Sequence, residues 1–426
     1  MSSAKSAMGS RIKAPNYVLA LLFAAYVLNF LDRQLLTLLL NDIKRDLGLT
    51  DQQLGLASGT SFALLYVVAS VPVAHLADRW NRLRLLAICI TLWSLMTAAC
   101  GAVRSFPQLL LARMGVAIGE SGGMPASLSL VADLFPRSVR ATKLGIYFAA
   151  AAVGTMLSYV VGGYVNVALG WRATFFIFAT PGVILALLIH FTATEPPRGL
   201  HDEVRETGPD TSLWQALGQL WSMPLFRWLC LAYAGANFSM YSLISWVPSL
   251  ALRAFHLDTA TVGLVLGVLA GAVVGVAQIA AGMIADRLAR RSAAAPLYLV
   301  ALTTATIALL IPLCLFASSF AGLAVGFAAC YALGGIYSTP SLAALQAQLP
   351  PDLRAKAAAI LFMLGTLAGL GIGPAIIGAL SDHFLARHGD GSLRYALLIL
   401  SPVALVTAFL FLMAGLRLRK EAHAHD

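Results

Sequence analysis

Residues 17–40 read YVLALLFAAYVLNFLDRQLLTLLL, an apolar run that holds an acid and a base side by side, Asp32 and Arg33. At a rise of about 1.5 Å per residue, a helix of this length crosses a hydrocarbon core of roughly 30 Å. Charged groups inside such a helix are costly unless they face a polar cavity or find partners. The pair therefore predicts a functional site inside a membrane-spanning helix.

The composition of the chain indicates a polytopic helical membrane protein. Of the 426 residues, 59% are hydrophobic and 11% are charged, whereas about 25% of the residues of soluble domains are charged. The mean hydropathy is +0.81. We expect the first apolar run to be a retained span, because it is too long for the core of a signal peptide.

Twelve apolar runs follow one another along the chain, and each predicts a membrane-spanning helix. Their approximate limits are 17–40, 53–76, 83–103, 107–133, 142–166, 172–192, 225–252, 262–285, 295–317, 319–346, 354–380 and 392–416. The long polar connection predicts a division into residues 1–193, a linker 194–222 with a short amphipathic helix near 214–221, and residues 223–426.

The basic residues predict the orientation of these spans. Most Lys and Arg side chains fall in the termini and in the loops on the same side as the N-terminus, so both termini are expected in the cytoplasm. The same distribution accounts for the net charge of +10 by membrane insertion. Nucleic-acid binding is therefore not predicted.

The chain also repeats itself. Ala77-Asp78-Arg79 follows the second predicted span and Ala285-Asp286-Arg287 follows the eighth, with the two aspartates 208 residues apart. This spacing predicts two six-helix halves in the same orientation. Parallel repeats of this kind occur in secondary transporters that bind substrate near the midplane, between the halves.

These residues carry a resemblance to a known family. Residues 74–82 (AHLADRWNR) and 282–291 (GMIADRLARR) resemble the G-x-x-x-D-R-x-G-R-R loop of the major facilitator superfamily, although Ala74, Asn81 and Ala289 stand where the family usually has Gly. Residues 111–120 (LARMGVAIGE) and 170–172 (GWR) are similar to further features of that family. The resemblance implies an all-α membrane fold of twelve helices, with the first, fourth, seventh and tenth lining a cavity.

Shorter motifs resemble one branch of this family. Residues 29–33 (NFLDR) are similar to a first-span signature shared by the Spinster-like and organic anion–cation symporter branches. Residues 78–82 (DRWNR), 93–95 (WSL), 119–121 (GES) and 132–135 (ADLF) look more like the Spinster-like branch. That resemblance implies a bacterial inner-membrane protein, export of lysolipids or sphingolipids, and proton coupling.

Two carboxyls are the predicted proton-coupling groups, Asp32 and Glu120, since burial favours the neutral form and a nearby cation favours the charged one. We expect them to share Arg33. Tyr26, Asn29 and Arg33 fall on one helical stripe, so they are predicted to bind substrate with Glu120, and the planar guanidinium suits an anionic headgroup. The alternative is a structural ion pair that holds two helices together.

Other predicted positions come from the fourth, seventh and tenth spans. Arg113 lies seven residues before Glu120, and it either caps the cavity or extends to the headgroups. Uncharged polar side chains in the second half would complete a site for an amphipathic molecule, or would serve ordinary helix packing. The predicted substrate-binding residues of that half are Asn237, Tyr241, Trp246 and Tyr337.

A third set is predicted to gate the two halves at the cytoplasmic side, as the resemblance implies for the loop that contains Asp78. A carboxylate there can contact a helix N-terminus and nearby arginines, although the same loop also anchors the protein by its positive charge. The predicted gating residues are Asp78, Arg79, Arg82, Asp133, Asp286, Arg287 and Arg113, with Asp133 expected beside Arg137 and Arg140.

No catalytic, nucleotide-binding or metal-binding motif is found, so no enzyme activity, cofactor, metal or disulfide is expected. The expected partners are protons, a small amphipathic or anionic substrate and the lipid bilayer, with the protein acting as a monomer. The leading hypothesis is a proton-coupled secondary transporter of a lipid-like or drug-like molecule. The alternatives are a symporter of a small organic anion and an uncoupled lipid transporter or receptor.

Overall fold

The protein, a computed structural model, is described over residues 15–200 and 213–423, which are helical apart from short connections and contain no β-strand. The first span is Pro15–Leu47 and the third is Arg82–Ala102. The second consists of Asp51–Gly55, Leu56–Thr60 (π-helical) and Ser61–Arg79, and the fourth consists of Phe106–Glu120 and Gly123–Leu134. The fifth and sixth are both contained in Arg137–Thr192.

A short helix, Leu213–Ser222, precedes the remaining six spans. The seventh span is Pro224–Phe255 and the ninth is Ala295–Leu315. The eighth consists of Thr259–Val268, Leu269–Val273 (π-helical) and Val274–Ala289, and the tenth consists of Phe320–Gly334, Gly335–Tyr337 and Ser338–Ala347. The eleventh consists of Pro351–Thr366, Leu367–Ile372 (π-helical) and Gly373–His388, and the twelfth consists of Ser392–Leu398 and Leu400–His423.

These helices confirm the predicted all-α membrane fold. Seven helical stretches of the described chain are long and apolar enough to cross a membrane. Two of them, Ser138–Thr192 with 55 residues and Leu353–Lys420 with 68, are long enough for two crossings each at about 20 residues per crossing. Shorter and interrupted helices supply the other crossings.

Glycines with positive φ mark two helix boundaries, and only the first of them differs from the limit that the apolar pattern predicted. The first helix continues past residue 40 to Leu47, where Gly48 has a φ of +64°. Gly170, with φ 80° and ψ 165°, interrupts the long helix between the fifth and sixth spans. Side chains other than Gly rarely adopt this backbone conformation, so both positions depend on the missing Cβ.

By its internal contacts the chain forms two units. The first contains Met1–Leu47 and Leu64–Glu206, and the second contains Gly48–Ala63 and Thr207–Asp426. Residues 48–63, the first part of the second span, thus make their contacts within the second unit. The predicted division at residues 193 and 222 stays a prediction.

In the second unit, charged and polar side chains hold the start of this segment. Arg253 donates from Nη1 and Nη2 to the two carboxylate oxygens of Asp51, at 2.7 Å each, and Ser381 Oγ donates to Asp51 Oδ2 at 2.7 Å. The carboxylate of Asp382 accepts from the backbone N–H groups of Asp51 (3.0 Å) and Gln52 (2.8 Å). The unpaired N–H groups of this helix start are therefore satisfied by a distant side chain.

Close backbone contact brings the same segment against the eleventh span. A Cβ atom on Gly55 would lie 2.4 Å from the carbonyl oxygen of Pro374, and one on Gly378 would lie 2.3 Å from that of Asp51. Small residues allow two membrane helices to approach at backbone distance. Residues 48–63 are therefore held by packing as well as by charge.

Candidate functional site

The first unit contains a buried ion pair between the first and fourth spans. Arg33 Nε donates to Glu120 Oε2 at 2.6 Å. The Glu120 side chain is fully buried, whereas that of Arg33 is 20% exposed. Charge-assisted bonds of this length are strong, and loss of either partner would leave an uncompensated charge in the interior.

A break in the fourth span places Glu120 at a helix end inside the membrane. The helix Phe106–Glu120 stops there, and Gly123–Leu134 continues after a turn. Ser121 closes the first helix, because its N–H bonds to the carbonyl of Ala117 at 3.1 Å. The polar turn thus coincides with the acidic side chain.

The ion pair lies on the wall of a cavity rich in aromatic rings. The Arg33 guanidinium carbon is 5.0 Å from the ring centroid of Tyr66, and the rings of Tyr26 and Tyr147 stack with centroids 4.5 Å apart. The lining residues are Ala25, Tyr26, Asn29, Phe30, Arg33, Tyr66, Leu86, Trp93, Glu120, Gly123, Met124, Ser127 and Tyr147. The predicted stripe of Tyr26, Asn29 and Arg33 therefore faces one cavity together with Glu120.

The size of this cavity limits what it can contain. Its volume is about 50 Å³, which is space for a few water molecules. Pockets that enclose whole drug-sized ligands measure about 300–1,000 Å³. The cavity within the first unit therefore accommodates a small polar or charged group rather than a complete amphipathic molecule.

Asp32 points away from this cavity into a second buried cluster. Its Oδ2 accepts a hydrogen bond from Thr97 Oγ1, while its Oδ1 is buried with no hydrogen-bond partner among the described residues. Arg113, only 2% exposed, lies close enough to interact electrostatically with both Asp32 and Glu120. Its burial argues against extension to the headgroups, but Arg113 does not line the cavity, so its role as a cap stays a prediction.

The two predicted coupling carboxyls thus differ in their surroundings. Glu120 lines the cavity and forms the short bond to Arg33, whereas Asp32 is absent from the lining and bonds to a hydroxyl. Arg33 is near enough to Asp32 for an electrostatic interaction. The two acids interact electrostatically with each other and with both arginines, and the hydrogen bond of Arg33 Nε goes to Glu120.

The predicted binding residues of the second half lie in the second unit, mainly in helix packing. Trp246 is fully buried and donates from Nε1 to the carbonyl of Pro374 at 3.0 Å. Asn237 Nδ2 donates to the Tyr233 carbonyl at 2.8 Å, one turn earlier in the same helix. The structure gives these two side chains packing contacts, so their substrate role stays a prediction.

The other two predicted binding residues of that half are tyrosines: Tyr337 lies beside a small cavity, and Tyr241 lies against a glycine. Tyr337 lines a cavity of about 10 Å³ in the second unit and packs edge-on against Tyr233, with centroids 5.0 Å apart. The ring of Tyr241 packs against the backbone of Gly369 in the eleventh span, 2.8 Å from where a Cβ would lie. Neither arrangement tests the predicted binding role.

Arg82 is the centre of a network at the predicted cytoplasmic end of the first unit. Its side chain is 1% exposed. It donates to the carboxylates of Asp133 and Glu195 (2.7 Å), to Ser129 Oγ at 2.8 Å and to the carbonyl of Pro196 at 3.1 Å. A guanidinium with five donors can satisfy several partners at once, and this one joins the third span, the fourth span and the chain after the sixth.

Residues 195–199, called here the return segment, complete this network. Glu195 Oε2 accepts from the N–H of Leu83 at 3.0 Å, and Asp133 Oδ1 accepts from that of Gly199 at 2.9 Å. Arg198 donates to the carbonyls of Ala77 (2.8 Å), Asp78 and Trp80 (2.6 Å). The return segment therefore caps the end of the second span and the start of the third.

Sequence reasoning assigned this segment to the linker and missed its role. The only signal was its pair of charged residues, Glu195 and Arg198, separated by two prolines. Arg140, expected beside Asp133, donates to the carbonyls of Ala132 and Phe135, so the cluster with Asp133 stays a prediction. A guanidinium at the end of a helix satisfies free carbonyls in this way.

The remaining predicted gating residues whose side chains the structure describes are all exposed. Asp78, Arg79 and Arg287 have exposed side chains. The side chains of Asp286 and Arg137 lie outside the described residues. The gating role of the set stays a prediction.

Comparison with known proteins identifies the class. The profile of the Major Facilitator Superfamily matches residues 22–314 and 274–425. The chain belongs to this family of membrane transporters, and it is therefore a multi-pass membrane protein and not an enzyme.

Within the family the chain is similar to Spinster proteins, as its short motifs predicted. It resembles the crystal structure of a bacterial homolog to the human lysosomal transporter Spinster with a TM-score of 0.86 and 26% identity, covering 95% of this chain and 98% of that one. An MFS-type efflux pump of Mycolicibacterium smegmatis is 33% identical over 92% of this chain and 91% of its own length. A probable L-galactonate transporter of Escherichia coli is 28% identical over 58% of this chain and 56% of its own length.

Proposed function

We propose that this protein is a proton-coupled secondary transporter that moves an amphipathic lipid-like or drug-like molecule by alternating access. The observation that carries the proposal is the buried Arg33–Glu120 pair on the wall of an aromatic-lined cavity. The resemblance to a Spinster homolog and to an efflux pump supports this substrate class. The proposed location is a bacterial inner membrane, with both termini in the cytoplasm.

The ion pair supplies a route for coupling. A proton that reaches the Glu120 carboxylate neutralises it and weakens its bond to Arg33. The guanidinium, which is already partly exposed to the cavity, then binds the anionic group of the substrate. Release of the substrate allows Glu120 to lose the proton and the ion pair to form again, so that the Glu120 carboxylate and the anionic group of the substrate compete for the Arg33 cation.

Asp32 has a supporting role in this scheme. Because it is buried without lining the cavity, it acts through the field that it exerts on Arg33, Arg113 and Glu120. Thr97 orients its carboxylate. A change in the charge of Asp32 alters the free energy of each charged state of the Arg33–Glu120 pair.

The aromatic lining and the small volume fit one end of an amphipathic substrate. The rings of Tyr26, Phe30, Tyr66 and Tyr147 offer apolar faces around the guanidinium. A lysolipid or sphingolipid combines an ionic headgroup with an apolar chain, and its ionic group is the part that the small cavity of the first unit would accommodate.

A second candidate is proton-coupled symport of a small organic anion. The cavity of about 50 Å³ favours it, because a compact carboxylate needs no site for a chain. The similarity to a probable L-galactonate transporter supports it as well. An uncoupled lipid transporter or receptor is the third candidate, and buried acids at the site argue against it.

Transport by purified protein in liposomes distinguishes these candidates. A fluorescent lysophosphatidic acid and a sugar acid are offered in parallel with an imposed pH gradient, to wild type, Glu120→Gln and Asp390→Asn. Asp390 is an exposed carboxyl in the turn Gly389–Gly391, so its variant controls for loss of a negative charge. We expect gradient-driven flux of the lysolipid in wild type and Asp390→Asn, and gradient-independent exchange in Glu120→Gln.

Each other outcome has a definite meaning. Equal gradient-driven flux in wild type and Glu120→Gln would refute coupling at this acid. Flux of the sugar acid alone would establish the second candidate, and lysolipid flux that ignores the gradient in all three proteins would establish the third.

A further inference from the structure

A groove of about 450 Å³ lies on the surface of the first unit, between the third and sixth spans. Arg84, Ile88, Thr91 and Leu95 line it from the third span, and Leu187 and His190 line it from the sixth. Spacings of three and four residues place the first group on one helical face. Ile88, Leu95 and Leu187 are each more than half exposed.

The two ionisable side chains of the groove are at the same end. Arg84 is in the first turn of the helix that begins at Arg82, and His190 is in the last turn of the helix that ends at Thr192. Both side chains are exposed. Arg84 forms no ion pair with a carboxylate of the described residues, whereas Arg82, two residues earlier, is neutralised by Asp133 and Glu195.

The rest of the groove offers apolar surface. The hydroxyl of Thr91 donates to the carbonyl of Ala87 at 2.8 Å, which uses its hydrogen within its own helix. The side chains of Ile88, Leu95 and Leu187 are hydrocarbon. A ligand that fits must therefore have an anionic group at the Arg84 end and an apolar chain along the remainder.

The length of the groove indicates which ligand this is. From Arg84 to Leu95 the helix rises about 16 Å, close to half of the roughly 30 Å hydrocarbon core. This is the depth of one leaflet. A helix of a second copy or of a partner protein would follow the full thickness, whereas one phospholipid extends from the headgroup to the middle of the bilayer.

We propose that this groove is a binding site for an anionic phospholipid. The phosphate lies at Arg84 and His190, and an acyl chain lies along Ile88, Leu95 and Leu187. Acyl chains are as apolar as leucine, so burying one in the groove instead of the bilayer contributes little. Selectivity therefore comes from the headgroup. One arginine beside the headgroup corresponds to a preference of about fivefold for an anionic over a zwitterionic phospholipid.

Quenching of a fluorophore beside the groove tests the site directly. Ile184→Cys, at an exposed residue one turn from Leu187 and outside the groove lining, is labelled with a small maleimide fluorophore; the five native cysteines are buried, so the label selects the introduced thiol. The protein is placed in vesicles that contain acyl-brominated phosphatidylglycerol or acyl-brominated phosphatidylcholine. We expect half-maximal quenching at an approximately fivefold lower mole fraction of the anionic lipid.

Three further variants in the labelled background separate charge, groove shape and general surface charge. Arg84→Gln should bring the two lipids to equal quenching, and Thr91→Trp should weaken quenching by both, because the indole fills the groove. Arg227→Gln should keep the fivefold preference, since Arg227 is also an exposed arginine in the first turn of a membrane helix but lies outside the groove.

Two results would overturn the proposal. One is equal quenching by both lipids in the Arg84-containing protein, or a preference that Arg84→Gln leaves intact. The other is quenching that falls as protein density in the vesicle rises, together with a dimer in light scattering, which would assign the groove to a second copy. Neither outcome depends on transport, so the proposed function is tested separately.

Discussion

Replacing Arg82 with Gln should destabilise the first unit more than any exposed arginine substitution. The substitution removes the donors to Asp133, Glu195, Ser129 and the Pro196 carbonyl from a side chain that is 1% exposed. Gln is too short and has too few donors to replace them. The two carboxylates would then remain near each other without their shared cation.

The loss of stability in Arg82→Gln depends on which hydrogen bonds Asp133 and Glu195 retain. Breaking a buried ion pair by removing one partner costs about 3–5 kcal/mol. Asp133 keeps the N–H of Gly199 and Glu195 keeps that of Leu83, so the lower end, about 3 kcal/mol, is expected. For a unit of this size that corresponds to a fall in melting temperature of roughly 6–12 °C.

Scanning fluorimetry of the purified protein in one detergent measures this fall. Arg82→Lys should recover part of it, because the charge remains while the planar fork is lost, and Arg79→Gln, at an exposed arginine, should change the melting temperature by less than about 2 °C. Adding Asp133→Asn to Arg82→Gln should cost less than the sum of the two single changes. If Arg82→Gln melts within about 1 °C of wild type, the network does not stabilise the unit.

Three further outcomes are expected. Thr97→Val should reduce proton-driven uptake while Thr97→Ser retains it, because only the hydroxyl donates to the buried Asp32; equal rates for Val and Ser would refute this role. Asp51→Asn and Arg253→Gln should each speed amide hydrogen exchange in residues 51–60, and the double variant should exchange no faster than the worse single one, since both remove the same bidentate pair; additive effects would contradict a shared contact. Asp258 caps the helix that begins at Thr259, and the hydrogen bond from the Thr261 N–H lowers its pKa. The cap is therefore complete above pH about 4 and weakens as the pH falls through the lowered value. Amide hydrogen exchange at Thr261 should lack this pH dependence in Asp258→Asn.

Helical periodicity and the length of apolar runs carried most of what the sequence predicted correctly. The stripe of Tyr26, Asn29 and Arg33 follows from a spacing of three and four residues, and in the structure all three line one cavity. The twelve spans follow from apolar length alone. Both predictions use information that is local in the chain.

Contacts between distant positions could not be predicted in this way. Thr97 bonds to Asp32 across 65 residues, and Asp382 caps Asp51 across 331. Nothing in the local pattern of either partner specifies the other. The return segment was missed for a related reason, since prolines beside charged residues have the composition of a linker.

The return segment also bears on how the protein is made. Arg82 emerges from the ribosome 113 residues before its partner Glu195, which at about 5–20 residues per second is a delay of roughly 6–23 s. Until then the second and third spans lack the capping groups supplied by Glu195 and Arg198. Synthesis of the return segment after the sixth span therefore completes the contacts of the second, third and fourth spans. A ribosome stalled before residue 195 would leave these spans inserted but without those contacts.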